Sequence, residues 1–156
     1  NGTLFPYNKA LEIYRCPVLT PVTIAGVRVV PVRTFSMNGQ MNGNRLINEP
    51  FGYPTSRKFT DIIRPPPVRA NVFTDESTVT IDDGFFAVRV DPNDWTWQNA
   101  PATRHGNGGT LSFADGHAEF WKWLEPTTGS LSMLDQGVNV GNRDLKKFKD
   151  ATGSPP

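Results

Sequence analysis

The sequence has only one cysteine, Cys16, and two histidines, His105 and His117. A single cysteine excludes an intrachain disulfide, and it cannot supply the several thiolates of a structural zinc site. We therefore expect Cys16 to be a small buried side chain.

The sequence also has almost no excess of charge of either sign, because 16 basic and 15 acidic residues leave a net charge of +1. Neither a nucleic acid nor an anionic membrane surface is predicted as a partner, since both require a concentrated positive field.

Long apolar runs are also absent, so the sequence predicts neither a membrane-spanning helix nor a signal peptide within the chain. Motifs of common enzymes are missing as well, including G-x-S-x-G and H-E-x-x-H. Gly106, Gly108 and Gly109 resemble a phosphate-binding loop only in their spacing, because no Lys-Ser/Thr follows them. Without a nucleophile, base and orienting group in one pattern, we predict that the protein is not an enzyme.

Glycine and proline, by contrast, are abundant. The chain has 14 of each in 156 residues, and its 37% hydrophobic residues fall in short runs. This composition favours a loop-rich β or α+β protein over a helical bundle. The order of the predicted elements then implies an α+β fold in which an antiparallel sheet carries a helix on one face. We expect one domain over residues 1–150 and a disordered tail over residues 151–156.

Apolar periodicity and turn residues predict the order of the elements. Short helices are expected at residues 8–14 and 142–149. Strands are expected at residues 24–32, with an interruption at Gly26, and at residues 34–41 and 68–74. A hairpin over residues 78–88 would turn at Asp83-Gly84, and residues 44–53 are predicted to form a loop.

The strongest local prediction is a second hairpin, formed by residues 110–114 and 117–123. Asp115-Gly116 suits a two-residue type I′ turn, which would pair Ala114 with His117. In that register Phe113/Ala118 and Leu111/Phe120 share an apolar face, while Thr110/Trp121 share the opposite face.

Several short motifs in this order resemble those of a known family. His105, nine intervening residues and Asp115-Gly116 form an H-x9-DG signature, and it resembles the C-terminal region of bacterial prepilin-like proteins related to type II secretion pseudopilins. The resemblance extends along most of the chain, through Cys16-Pro17, Ser36–Gly39, Phe73–Glu76, Ile81–Phe86 and Phe113–Glu119.

This resemblance implies a fold and a function. The chain would be a pilin-like head whose N-terminal anchoring helix is missing, and His105, Asp115, Gly116 and His117 would be structural residues of the signature. It would be a non-enzymatic subunit of a type II secretion or type IV pilin-like filament, acting in protein export or filament assembly. Its partners would be other pilin-like subunits and secretion-system components. The location implied is extracytoplasmic, in the periplasm or at the cell surface, with the full-length precursor anchored in the inner membrane by the missing helix.

Acidic residues suggest a metal site. Asp75, Glu76, Asp82 and Asp83 lie in predicted loops or strand ends, and carboxylate and carbonyl oxygens are the ligands that calcium prefers. The resemblance also favours calcium, which major pseudopilins bind in C-terminal loops. Either histidine could instead join Asp75 or Glu76 in a zinc or other transition-metal site. A structural hydrogen bond is the alternative role of His105.

Four tryptophans support a different function. Trp95 and Trp97 lie in a predicted loop, and Trp121 and Trp123 alternate along the predicted hairpin. If exposed together, the four indoles would form a platform for sugar rings, so a cell-surface module that binds polysaccharide is the alternative prediction. Packing against a helix is the other role open to these large aromatic side chains.

Overall fold

The computed structural model describes residues 5–42 and 55–153, in which a five-stranded sheet is the main element. The helices are α1 (Phe5–Asn8), α2 (Pro126–Gly129) and α3 (Arg143–Thr152), and 3₁₀ turns occur at Glu12–Tyr14, Phe59–Asp61 and Pro67–Arg69. The strands are β1 (Val22–Ile24), β2 (Val27–Val29), β3 (Phe35–Asn38), β4 (Asn71–Asp75), β5 (Phe85–Phe86), β6 (Thr96–Trp97), β7 (Gly108–Phe113), β8 (Ala118–Lys122) and β9 (Gln136–Gly137).

The strand order of the main sheet is β5-β3-β4-β7-β8. All neighbours in it are antiparallel except β3 and β5, which run parallel. Two small antiparallel ribbons, β1 with β2 and β6 with β9, complete the strands. The protein is therefore a mixed α and β structure with mostly antiparallel sheets and few helices, which is compatible with the predicted α+β class. No helix among the described residues is long and apolar enough to cross a membrane.

Helix α3 packs on one face of the sheet and closes the core. Asn142 caps its first turn, because the Asn142 side chain accepts a hydrogen bond from the backbone N–H of Leu145 at 2.9 Å. Leu145 and Phe148 are fully buried beneath the sheet. Ala151 and Thr152 continue the same buried stripe, so the predicted disordered tail is wrong for these two residues. Residues 154–156 lie outside the described part of the chain.

The β7–β8 hairpin is present, but the predicted register is wrong by one residue. Its loop contains three residues rather than two, since the Phe113 N–H donates to the His117 carbonyl at 2.9 Å. Gly116 has φ +96°, the left-handed conformation that follows a type I turn in three-residue hairpin loops. Leu111 therefore pairs with Glu119 and Thr110 with Phe120.

This one-residue shift exchanges the two faces of β8. Phe120, which was predicted to share the core face with Leu111, lies on the other face and is 52% exposed. Trp121, predicted on the outer face, pairs with Gly109 and is buried beside Phe113.

The predicted hairpin over residues 78–88 is also wrong. Of those residues only β5 is a strand, and it pairs in parallel with β3 through Met37 and Phe85. Asp82 and Asp83 instead accept backbone hydrogen bonds within the turn, from the N–H groups of Asp83 and Phe85. Thr80, at the centre of the predicted first strand, is buried beside Glu76.

The other predicted elements are partly present. The predicted helix over residues 8–14 is replaced by α1, which ends at Asn8, and by the 3₁₀ turn at residues 12–14. The region around Gly26 is a strand pair, β1 and β2, because Ala25 and Gly26 both have positive φ and reverse the chain. The predicted loop over residues 44–53 lies outside the described residues.

Candidate functional site

The two faces of the main sheet differ in how well they are covered. The face that packs against α3 carries buried residues of β3, β4 and β7, and a bulge between Asn71 and Phe73 interrupts their alternation in β4. The opposite face, called here the open face, carries residues that are mostly apolar and are half-buried or exposed. Its members are Phe35, Met37, Phe73, Phe85, Thr110, Ser112, Ala118 and Phe120.

A groove of about 380 Å³ runs along the open face. Phe35 and Phe73 line its floor together with the middle of β7 and Ala118 of β8. Ile13 and Tyr14 form one wall, so the N-terminal segment borders the groove. The open face is therefore a concave apolar surface with part of the chain alongside it.

A cluster of polar side chains lies at one end of the sheet, around His105. The Nε2 atom of His105 is 3.1 Å from the Sγ atom of Cys16 and 3.0 Å from the Oδ2 atom of Asp75. Arg104 donates from Nη2 to the other oxygen of Asp75, Oδ1, at 2.6 Å. Cys16 and Asp75 are buried, whereas the His105 side chain is 26% exposed. A thiol, an imidazole and a carboxylate thus meet at one partly accessible point.

Backbone hydrogen bonds hold the segments that carry this cluster. The Cys16 N–H donates to Thr34 Oγ1 at 2.9 Å, and the Glu76 N–H donates to the Thr34 carbonyl at 2.7 Å. The Ala102 N–H donates to the Asp75 carbonyl at 2.8 Å. Thr34 therefore links the N-terminal segment to the end of β4, and Ala102 ties in the loop that leads to His105.

Glu76, the neighbour of Asp75, faces a separate network. Its Oε1 atom accepts hydrogen bonds from Thr80 Oγ1 at 2.9 Å and from Asn99 Nδ2 at 2.8 Å. Burial raises the pKa of Glu76 above its ordinary value, although these hydrogen bonds and that from Ser36 oppose the shift. Glu76 therefore supports the loop between β4 and β5.

The described part of the chain does not bring together the four carboxylates of the predicted calcium site. Asp75 and Glu76 are buried and bound to other side chains, whereas Asp82 and Asp83 are exposed and cap a turn. Cys16, Asp75 and His105 do form a group of possible metal ligands, because their ligand atoms lie within 4.8 Å of one another. Among the described residues, no other set of three His, Cys, Asp or Glu side chains does so. Asp75 and Glu76 are adjacent in the sequence but do not share a site, because adjacent side chains of an extended chain point in opposite directions.

The other signature residues form the turn at the far end of β7. Asp115 Oδ1 is 2.6 Å from His117 Nδ1, and Glu119 Oε1 is 3.1 Å from His117 Nε2. Asp115 and Glu119 accept hydrogen bonds from the His117 ring and so raise the pKa of His117, and the hydrogen bond from His117 lowers the pKa of Asp115. The His117 ring also stacks on Phe113 at 4.4 Å between centroids. His117 thus stabilises the turn and lies apart from the His105 cluster.

The predicted tryptophan platform is wrong because three of the four indoles are in the core. Trp97, Trp121 and Trp123 are 1%, 5% and 3% exposed. The Trp123 Nε1 atom donates to the Ala102 carbonyl at 2.8 Å, which fixes this ring inside the protein. Trp121 and Trp123 do alternate along the hairpin, but its shifted register places both rings on the α3 side of the sheet.

Trp95 is partly buried and lies beside a smaller depression of about 330 Å³. Lys149 fills part of the floor, where Nζ donates to the Asp91 carbonyl at 2.7 Å and also to the Asp94 carbonyl. Burial lowers the pKa of Lys149, while Asp94 and Asp91 oppose the shift. The Lys149 ammonium is also 5.1 Å from the centre of the Trp95 ring. Trp95 therefore takes part in anchoring α3 and does not extend a flat aromatic surface.

Sequence reasoning missed two members of the His105 cluster. As the only cysteine, Cys16 is predicted simply to be buried, and Arg104 belongs to no motif. The sequence does suggest His105 and Asp75 as zinc ligands, and the structure brings these two side chains into contact. The sequence signal that could have added Cys16 is its place in the series of family-like motifs, which also contains Asp75 and His105.

No protein-family model, curated protein or solved structure matches this chain significantly. The resemblance to prepilin-like proteins therefore depends on the motifs quoted above.

Proposed function

We propose that the chain is the non-enzymatic head of a type II secretion pseudopilin or type IV pilin-like filament subunit. The observation that carries this proposal is the apolar open face of the main sheet. The protein would act in the extracytoplasmic space, and its partners would be other pilin-like subunits and secretion-system components. Its precursor would be anchored in the inner membrane by an upstream apolar helix.

An apolar sheet face that the described residues cover only in part favours a partner. Phe35, Phe73 and Phe120 present aromatic carbon on this face, and Phe120 alone leaves 52% of its surface exposed. Sheets usually bury one apolar face against another layer, and a second apolar face requires a second layer. An apolar helix, about 10 Å across with its side chains, is one such layer.

The route of the N-terminal segment favours an upstream helix as that layer. Ile13 and Tyr14 border the groove, and the Tyr14 carbonyl accepts a hydrogen bond from the Thr34 N–H at 2.8 Å. This segment therefore lies alongside the open face, next to the place that a covering helix would take. An apolar helix there would cover the groove and hold the head on the filament.

The polysaccharide-binding alternative is not proposed further. It required a platform of exposed indoles, and Trp97, Trp121 and Trp123 are buried.

A charge placed in the groove tests the filament proposal. Ala118 is exposed and lines the groove, so Ala118→Glu adds a carboxylate without removing core contacts. Burying that charge under a helix costs on the order of 3 kcal/mol. Since 1.4 kcal/mol is tenfold, incorporation of the complete gene product into sheared filaments should fall about a hundredfold.

Val140→Glu is the matched control, because Val140 is 80% exposed and lies away from the groove. It should assemble like the unmodified protein. Thermal melting of both soluble heads separates a folding defect from an assembly defect. Equal assembly of the Ala118→Glu and Val140→Glu subunits would exclude a helix on the open face.

A further inference from the structure

We propose that Cys16, Asp75 and His105 form a binding site for a divalent transition-metal ion, with zinc favoured by the ligand chemistry. The three ligand atoms are Sγ, one carboxylate oxygen and Nε2, and all lie within 4.8 Å of one another. They come from parts of the chain that are 59 and 30 residues apart, so the fold, and not proximity in the sequence, brings them together.

The geometry around Nε2 favours an ion over a chain of hydrogen bonds. Sγ and Oδ2 approach the same nitrogen, at 3.1 Å and 3.0 Å. That nitrogen carries at most one hydrogen, so it cannot donate a well-aligned bond to both atoms. In a catalytic Cys-His-Asp arrangement the carboxylate would contact the other nitrogen, Nδ1. All three ligand atoms instead lie within 4.8 Å of one another.

The distances are close to those of a tetrahedral zinc site. Zinc lies about 2.3 Å from thiolate sulfur and about 2.0–2.2 Å from imidazole nitrogen or carboxylate oxygen. Tetrahedral angles then separate neighbouring ligand atoms by about 3.3 Å for nitrogen and oxygen and about 3.5 Å for sulfur and nitrogen. The observed separations are a few tenths of an ångström shorter. A small outward movement of the three side chains would admit the ion.

Arg104 orients the carboxylate of Asp75 toward the other two ligands. Arg104 Nη2 occupies Oδ1 of Asp75 at 2.6 Å and also donates to the Glu76 carbonyl at 2.6 Å. Oδ2 is left facing His105 and Cys16. Such outer contacts fix the orientation of a metal ligand, so Arg104 is a positioning residue.

Burial and accessibility also fit a metal site. Cys16 and Asp75 are 1% and 0% exposed, whereas the His105 side chain is 26% exposed and leaves a path from solvent. A fourth ligand, such as water, would enter from the His105 side. The mixture of thiolate, imidazole and carboxylate suits zinc and excludes calcium, which takes oxygen ligands.

The ion would join the N-terminal segment to the start of the β7–β8 hairpin. Cys16 follows the 3₁₀ turn at residues 12–14, which borders the groove, and His105 precedes β7. Zinc would therefore hold the groove wall in place. This inference does not depend on the filament proposal, because it concerns the isolated head.

Metal titration of the purified head tests the site. After removal of bound metal with a chelator, the chain should take up one zinc ion per molecule and its melting temperature should rise. Cobalt(II) in place of zinc should give the intense absorption of a cobalt–thiolate bond. Absence of that band in the unmodified chain, together with no zinc retained after dialysis, would overturn the proposal whether or not any variant folds.

Variants identify the ligands. Cys16→Ser should abolish the cobalt–thiolate band, and His105→Gln should remove the rise in melting temperature caused by zinc. Arg104→Gln should weaken zinc binding about 10–100-fold while keeping the band. His117→Gln is the matched control and should still bind one zinc. A melting temperature that falls equally with and without zinc in His105→Gln would show that His105 is structural and would refute its role as a ligand.

Discussion

The packing of α3 can be tested at Phe148, which is fully buried at the centre of the core. Its ring stacks on Phe86 at 5.1 Å between centroids and meets Trp97 edge-on at 5.2 Å. Trp121 and Trp123 lie 5.6 Å and 6.2 Å away. Phe148→Ala would therefore remove the one side chain that contacts all of these rings.

The magnitude follows from the surroundings. Replacing a buried phenylalanine with alanine costs about 3–5 kcal/mol, and each aromatic pair adds roughly 0.5–1.5 kcal/mol beyond its buried area. Because Phe148 makes four such pairs, we expect Phe148→Ala to cost at least about 5 kcal/mol. A domain has roughly 5–15 kcal/mol of stability, so this variant should lose a third of it or more.

Urea denaturation measures this loss, and tryptophan fluorescence is a suitable signal because three indoles are packed near Phe148. With a slope of about 2 kcal/mol per molar urea, the midpoint should fall by at least roughly 2.5 M or the variant should be unfolded in water. Val140→Ala, at an 80% exposed position, should change the midpoint by less than about 0.3 M. A Phe148→Ala midpoint within about 0.5 M of the unmodified protein would refute the described packing of α3.

Two further expectations concern the β7–β8 hairpin. Gly108→Ala should lose about 1–3 kcal/mol by the same assay, because its Cβ would lie 2.5 Å from the Trp121 carbonyl oxygen, while Gly137→Ala, with open space around it, should change little. An NMR titration should give His117 a pKa above 6.5, the value from which Asp115 raises it, and Asp115→Asn should lower that pKa. Any stability from this pair is present below about pH 6.5 and is lost as the pH rises through the folded-state pKa; a pKa unchanged by Asp115→Asn would contradict the contact.

Local signals in the sequence were sufficient for some elements of this fold. Asn142 predicted the start of α3 because an N-cap acts within one turn of its own helix. Asp115-Gly116 predicted the position of the β7–β8 turn for the same reason. The register needed one further detail, which is that Gly116 ends a three-residue loop rather than a two-residue one. That detail alone decided whether Trp121 or Phe120 entered the core.

Elements that depend on distant partners were not predicted. Residues 78–88 alternate like a hairpin, but β5 obtains its hydrogen bonds from β3, almost fifty residues earlier. The His105 cluster has the same character. Cys16 and His105 are separated by 89 positions, and only the pairing of β3 with β4 and of β4 with β7 brings them to one end of the sheet. The composition shows that there is one cysteine, but it carries no information about the contact between Cys16 and His105.

The H-x9-DG spacing has a physical meaning in this structure. His105 precedes β7 and contacts Asp75 at the end of β4, whereas Asp115-Gly116 forms the loop at the other end of β7. Six extended residues span about 20 Å, so the two halves of the signature are too far apart to share a ligand. The spacing instead sets the length of one central strand. One end of that strand carries the proposed metal site and the other carries the turn, and a changed spacing would move His105 away from Asp75 or turn Leu111 and Phe113 out of the core.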